Sequence, residues 1–109
     1  MSILFYDHLV NKNNAINAID ELDTNDGQKS RLKKLVDDIV HQGLLEFILQ
    51  KLHPHQHDAF LRLVTHAPYD PVILEFLRKH AGEDIEVEIE ARGRKLVDEI
   101  LEDLKHQKK

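Results

Sequence analysis

Pro54 constrains this chain more than any other residue. It follows closely on Leu52, the last member of a long apolar run. A proline inside a helix removes a hydrogen bond and clashes with the turn before it. At the first position of a helix it is harmless, because its missing N–H would have no partner there. The stretch Leu52-His53-Pro54-His55-Gln56-His57-Asp58 therefore predicts the end of one helix and the start of the next. Leu52 can staple back onto the new helix, and Asp58 lies in its first turns, where the helix dipole favours negative charge. Asp70-Pro71 repeats the signal, with Asp70 as N-cap and Pro71 as first residue. Four glycines and three prolines in 109 residues leave few other places to turn. The expectation is an all-α protein, a compact bundle of five or six helices with short loops, forming a single domain over 1–109.

The apolar spacing places the remaining elements. Ile3, Leu4, Phe5, Leu9 and Val10 form one apolar group, and Ala15, Ile16, Ile19 and Leu22 form another at helical spacing. Asn11, Asn13 and Asn14 lie between them, and asparagine caps helices better than it extends them. This predicts two short N-terminal helices within 1–22 with a break near Asn13, or else one continuous helix. Asp23 to Gly27 is a loop of turn and cap formers. The main bundle is expected over 28–105. Leu32, Leu35, Val36, Ile39 and Val40 follow amphipathic spacing, and Leu44, Leu45, Phe47, Ile48, Leu49 and Leu52 are apolar almost all round, as in a centrally buried helix. Gly43 between them either bends or ends the helix, or lets a neighbour pack closely. Further helices carry Phe60, Leu61, Leu63 and Val64, then Val72, Ile73, Phe76 and Leu77, the latter ending near Ala81-Gly82. The last runs from Glu83 to Lys105. Its opening, Ile85 to Glu90, alternates like a strand, but no second strand exists to satisfy its backbone, so helix is predicted. A basic tail occupies 105–109. The expected core is Leu35, Ile39, Phe47, Ile48, Leu52, Phe60, Leu63, Phe76 and Leu77, and removing any one of the three phenylalanine rings is expected to cost about 3–5 kcal/mol.

Charge and composition restrict the function classes. With no cysteine, disulfides, thiolate metal sites and cysteine nucleophiles are excluded, which fits a reducing cytosol. The formal net charge of −5 argues against general affinity for nucleic acid or an anionic membrane, because such binding rests on Lys and Arg releasing counterions. No apolar run approaches the roughly 18 residues of a membrane span, and Met1 to Asp7 lacks the basic region of a signal peptide.

From about Leu32 to Leu104 the order of features resembles a small, all-helical bacterial domain family of unknown function, common in candidate-phylum bacteria. A helix ends in Leu52 before a proline-initiated helix with Phe60-Leu61-Arg62-Leu63, then Ile73-Leu74-Glu75-Phe76-Leu77, then a last acidic helix. This chain departs from that pattern at His53, His55 and His57, where acidic residues are expected. The resemblance implies helices and a bacterial, cytoplasmic protein, and it supplies no catalytic residue.

His53, His55 and His57 are the one candidate metal site, for zinc or nickel, with Asp58 and His66 as residues to complete it. Imidazoles two apart point the same way on an extended backbone and diverge on a helix, where they are simply solvated side chains of a first turn. His41, His66 and His80 are expected near helix C-termini, where a protonated imidazole is favoured. The acidic stretch Glu83, Asp84, Glu86, Glu88 and Glu90 lacks the ligand order of a calcium loop and reads as a solvated face. The basic cluster Lys29, Arg31, Lys33 and Lys34 has no aromatic interleaving of the kind that binds RNA. No Walker loop, dinucleotide fingerprint, GxSxG or HExxH occurs. The sequence therefore predicts a non-enzymatic helical interaction module without a cofactor. It would bind itself, as a dimer, or another protein through an apolar helix face. A histidine-cluster metal-binding or pH-responsive protein and an RNA-associated accessory protein are the alternatives.

Overall fold

A computed structural model describes residues 4–107, with side chains described through Lys105. Among the described residues there are five helices and no strand: α1 (Asn13–Asp20), α2 (Asp26–Lys51), α3 (Pro54–His66), α4 (Val72–Ala81) and α5 (Ile85–Gln107). The all-α bundle is as expected. Residues 1–3 of the expected N-terminal helix and residues 108–109 of the basic tail lie outside the described residues.

α2 begins where Asn25 caps it, its side chain accepting the Gln28 N–H at 2.8 Å, which satisfies one of the donors a helix start leaves unpaired. At 26 residues and 1.5 Å per residue it is about 39 Å long, most of the molecule's 46 Å extent. α1 and α5 both run antiparallel to it. Lys12 meets Asp37 at 2.8 Å and Lys33 meets Asp20 at 2.6 Å, so the end of α1 lies by the start of α2. Lys51 meets Glu88 at 2.8 Å, while Gly43 lies against Leu96, so the start of α5 lies by the end of α2. α3 and α4 form a hairpin, and Arg78 of α4 pairs with Glu86 of α5.

The buried residues of α2 are Val36, Val40, Leu44 and Ile48, followed by Leu52 at the helix end. Spacing by four drifts slowly around a helix, and this stripe follows α5 along its length. Leu35 and Ile39 sit about 100° away from that stripe. They are 51% and 41% exposed, which corrects their assignment to the core. Ile48, Leu52, Phe60 and Leu77 are buried as expected. Phe47, Leu63 and Phe76 pack on the core from its rim. Phe47 there carries two cations over its ring, Lys51 Nζ at 5.4 Å and Arg92 Cζ at 4.8 Å from the centroid.

α2 runs through Gly43 without a break. A Cβ at that position would stand 2.8 Å from Leu96 Cδ1, so the glycine is a notch that receives Leu96. The crowding atom is the end of a flexible side chain, and alanine gains about 1 kcal/mol of helix propensity over glycine. Gly43→Ala is therefore expected to leave the thermal midpoint within a few degrees of wild type. A large loss would show that Leu96 has nowhere to swing.

α5 is helical from Ile85 despite its alternating start. A helical period places Ile85 and Ile89 on one face, both fully buried, and throws Val87 outward at 68% exposure. Between α4 and α5 the chain turns at Gly82, whose φ of +116° strains any side-chain-bearing residue.

The N-terminal expectation needs correction. Residues 4–12 are a strap of turns, not a helix. The Asp7 carboxylate accepts the Leu4 N–H at 2.7 Å, and Asn11 Oδ1 accepts the Asn13 N–H at 2.9 Å. Such local side-chain acceptors compete with helical bonding. The strap is nonetheless core. Phe5, Tyr6 and Val10 are buried. Phe5 meets the Phe60 ring edge-on at a centroid distance of 6.2 Å, and its N–H donates to Pro68 O at 2.8 Å. Val10 fills the space that the missing Cβ of Gly93 leaves open.

Candidate functional site

The histidine segment lies where α2 hands over to α3. Leu52 and His53 are extended, with ψ of 149° and 147°, and α3 begins at Pro54. His53 and His55 stack, their ring centroids 5.6 Å apart and their planes 17° from parallel. His57 is one further turn into α3 and points back under the junction. Its Nε2 lies 2.7 Å from Leu49 O and 3.2 Å from Leu52 O. Carbonyls only accept, so Nε2–H donates and His57 closes the open end of α2. The structure thus brings His53 and His55 together and sends His57 elsewhere. Asp58 pairs with Arg62 at 2.9 Å, and His66 lies in the last turn of α3. Among the described residues no three His, Asp or Glu side chains converge on a point a metal ion would occupy.

Gln56 ties this junction to α4. Its Oε1 accepts the His53 N–H at 3.3 Å, and its Nε2–H donates to His80 Nδ1 at 2.7 Å. His80 also packs on Phe76, centroid to centroid 4.5 Å, and stands in the last turn of α4 as expected. His57 and His80 are joints between helices. Removing the His57 ring leaves the Leu49 carbonyl without its side-chain partner. His57→Ala is expected to cost about 1 kcal/mol, and His53→Ala and His55→Ala, at exposed positions of the helix start, less than that. Equal denaturant midpoints for all three variants would refute the distinction.

His41 is not near a helix end. It lies in the interior of α2, half-buried, with Nδ1 2.8 Å from the hydroxyl of Tyr6. Its pKa is held below the ordinary value by burial first and by the Lys12 cation second, against the opposing pull of Asp38 and Asp7. This reverses the expected preference for the protonated ring. Tyr6 is pushed upward by burial first and by Asp7 and Asp37, so its hydroxyl stays neutral. The pair escaped the sequence reading because nothing in local spacing connects a tyrosine in an apolar N-terminal group with a histidine in α2.

Much of the surface charge is engaged in pairs within and between helices. In the basic cluster, Lys33 pairs with Asp20 and Lys29 donates to Asp20 O at 2.8 Å. In the acidic stretch, Glu86, Glu88 and Glu90 pair with Arg78, Lys51 and Arg94. An open cleft between the strap and α5 has Lys12, Arg94, Asp37, Glu90 and Asp98 on its walls. Lys12 and Arg94 are each held there by a carboxylate, so the cleft presents no field of one sign.

The apolar surface is more distinctive. Six large hydrophobic residues are exposed among the described residues: Leu35, Ile39, Leu61, Tyr69, Val72 and Val87. Leu35 and Ile39 are the two that lie one turn apart on one helix, beside the half-buried Leu32. Arg31, Gln42 and Glu46 are exposed on the same side of α2. Among the described residues no helix is long and apolar enough to cross a membrane. No family model, curated protein or solved structure matches this chain.

Proposed function

We propose that this protein is a non-enzymatic interaction module that pairs with a second copy of itself through α2. The observation that carries this reading is the exposure of Leu35 and Ile39 one turn apart on the longest helix. A two-fold axis between them, with the α2 helices antiparallel, sets Leu35 of each copy against Ile39 of the other, a self-complementary contact. The same arrangement brings the turn holding Arg31 over the turn holding Gln42 and Glu46 of the other copy, opposite in charge. The pairing leaves the α1, α3 and α5 contacts of each copy undisturbed.

The test is molecular mass by sedimentation across a wide concentration range, for wild type and for Leu35→Asp with Ile39→Asp. Wild type is expected to run as a concentration-dependent dimer and the double variant as a monomer with an unchanged helical spectrum, because neither side chain belongs to the buried core. A wild-type monomer at every concentration refutes self-pairing. A dimer that survives the double substitution places the contact on another face.

A further inference from the structure

The strap of residues 4–12 is built differently from the rest of the molecule. It has no helix to satisfy its own backbone, and its backbone bonds within the strap are the turns Asp7 N–H to Leu4 O at 3.1 Å and Leu9 N–H to Tyr6 O at 2.8 Å. Two backbone bonds join it to other segments, Phe5 N–H to Pro68 O and, where α1 begins, Ile16 N–H to Lys12 O. Its hold on the bundle is otherwise apolar packing, chiefly of Phe5, Tyr6 and Val10, the surface ion pair of Lys12 with Asp37, and the buried hydrogen bond of Tyr6. Phe5 packs edge-on against Phe60, Val10 fills the space over Gly93, and the Tyr6 ring lies 5.8 Å from the His41 imidazole. Segments with few backbone bonds to the body open at lower free energy than the helices that carry the core.

The polar bond is sensitive to protonation for a geometric reason. A neutral His41 with its proton on Nε2 accepts the Tyr6 hydroxyl hydrogen at Nδ1. An imidazolium has two donors and no acceptor. Tyr6 is fully buried and makes no second side-chain hydrogen bond among the described residues, so protonation forces the hydroxyl to turn round and leaves its own hydrogen without a partner. A buried donor left unsatisfied opposes the state that buries it. We infer that the Tyr6–His41 hydrogen bond is a latch on this strap, and that protonating His41 frees residues 4–12 from the bundle while the five helices stay folded.

The charged and titratable groups around the latch come from two elements. The strap supplies Tyr6, Asp7 and Lys12, and α2 supplies Asp37 and Asp38. Lys12 opposes an imidazolium, while Asp7 and Asp38 favour it. Burial, the largest influence, opposes it, so the seated strap prefers neutral His41. That contribution is complete above the unfolded histidine value of about 6.5 and is lost as pH falls from there through the lower folded value. Once free, the strap uncovers the face of Phe60 and the notch at Gly93, an apolar seat closed at neutral pH.

The chain has two tyrosines and no tryptophan, so Tyr69→Phe, at a position 65% exposed, leaves Tyr6 as the sole fluorophore of its kind. Quenching of Tyr6 by acrylamide is measured from about pH 7.5 to about pH 5, across the histidine range, beside the helical circular dichroism. The expected result is a several-fold rise in quenching at constant helix signal. Adding His41→Gln, whose amide oxygen still accepts the hydroxyl but does not titrate, is expected to abolish the rise. Quenching that stays flat overturns the latch. So does a rise that persists with His41→Gln, or one that coincides with loss of helix. If His41→Gln does not fold, wild-type nuclear magnetic resonance decides. Amide exchange at Phe5 and Leu9 must accelerate with the same midpoint as the His41 ring titration, and separate midpoints overturn the proposal.

Discussion

Replacing Phe60 by alanine is expected to lower the stability of the bundle by about 3–5 kcal/mol, the sum of lost burial and the cavity left behind. The site cannot collapse to fill that cavity. Phe60 is fully buried on α3, and the ring that faces it, Phe5, is held by its own N–H to Pro68 O. A domain with about 5–15 kcal/mol in hand loses a large part of its margin. Phe47→Ala and Phe76→Ala are expected to cost less, because those rings lie at the rim with part of their surface already in water. Leu35→Ala, on the exposed side of α2, is expected to change stability by about 0.5 kcal/mol or less. Urea titrations of the four variants give the order directly. If Leu35→Ala equals Phe60→Ala, the core has been drawn on the wrong face of α2.

Gly93→Leu is expected to be damaging too, by crowding and not by loss. Even the Cβ of a residue at 93 would stand 2.6 Å from Val10 Cγ2, 2.9 Å from Cγ1 and 3.2 Å from Cβ. Valine is stiff about χ1, so it offers no loose end to swing aside. Overpacking a filled site costs about 1–3 kcal/mol, and a leucine side chain at this contact drives the strap off altogether. Leucine is a better helix former than glycine, so any loss must come from the tertiary contact. The check is a double-mutant cycle with Val10→Ala. Relief of part of the Gly93→Leu loss by Val10→Ala shows that the two positions share one space. Strict additivity would mean that the strap does not press on α5.

The helices were legible because each had a local signal. Pro54 marked a helix start to the residue, and Asp70 accepts the Val72 N–H at 3.0 Å as a cap should, one residue later than Pro71 suggested. Periodicity identified α2 but not which side of it is buried. Leu35 and Ile39 keep helical spacing as well as Val36 and Val40 do, and the choice between the two faces is made by where α1 and α5 lie. The strap looks helical in sequence for a related reason. Apolar residues at 4, 5, 9 and 10 fit a helical face, yet here each anchor goes to a different wall. For the histidines, spacing alone predicted that positions 55 and 57 diverge on a helix, and the stacked rings of His53 and His55 agree with the extended backbone before Pro54. It could not show that His57 closes α2, since that depends on how sharply the chain turns at Leu52 and His53.

The strap is synthesised before every wall that receives it. His41 follows soon, Phe60 and Pro68 later, and Gly93 comes near the end of the described chain. Until α3 is made the Phe5 ring lacks its seat, and until α5 is made Val10 lacks its own, and apolar side chains without a seat invite premature contacts between nascent chains. The order of assembly is thus opposite to the order of synthesis: the strap is made before its walls and docks only after the last of them. A chain interrupted before residue 93 is expected to bind more hydrophobic dye per helix than the finished protein, and to keep its N-terminal residues open to protease.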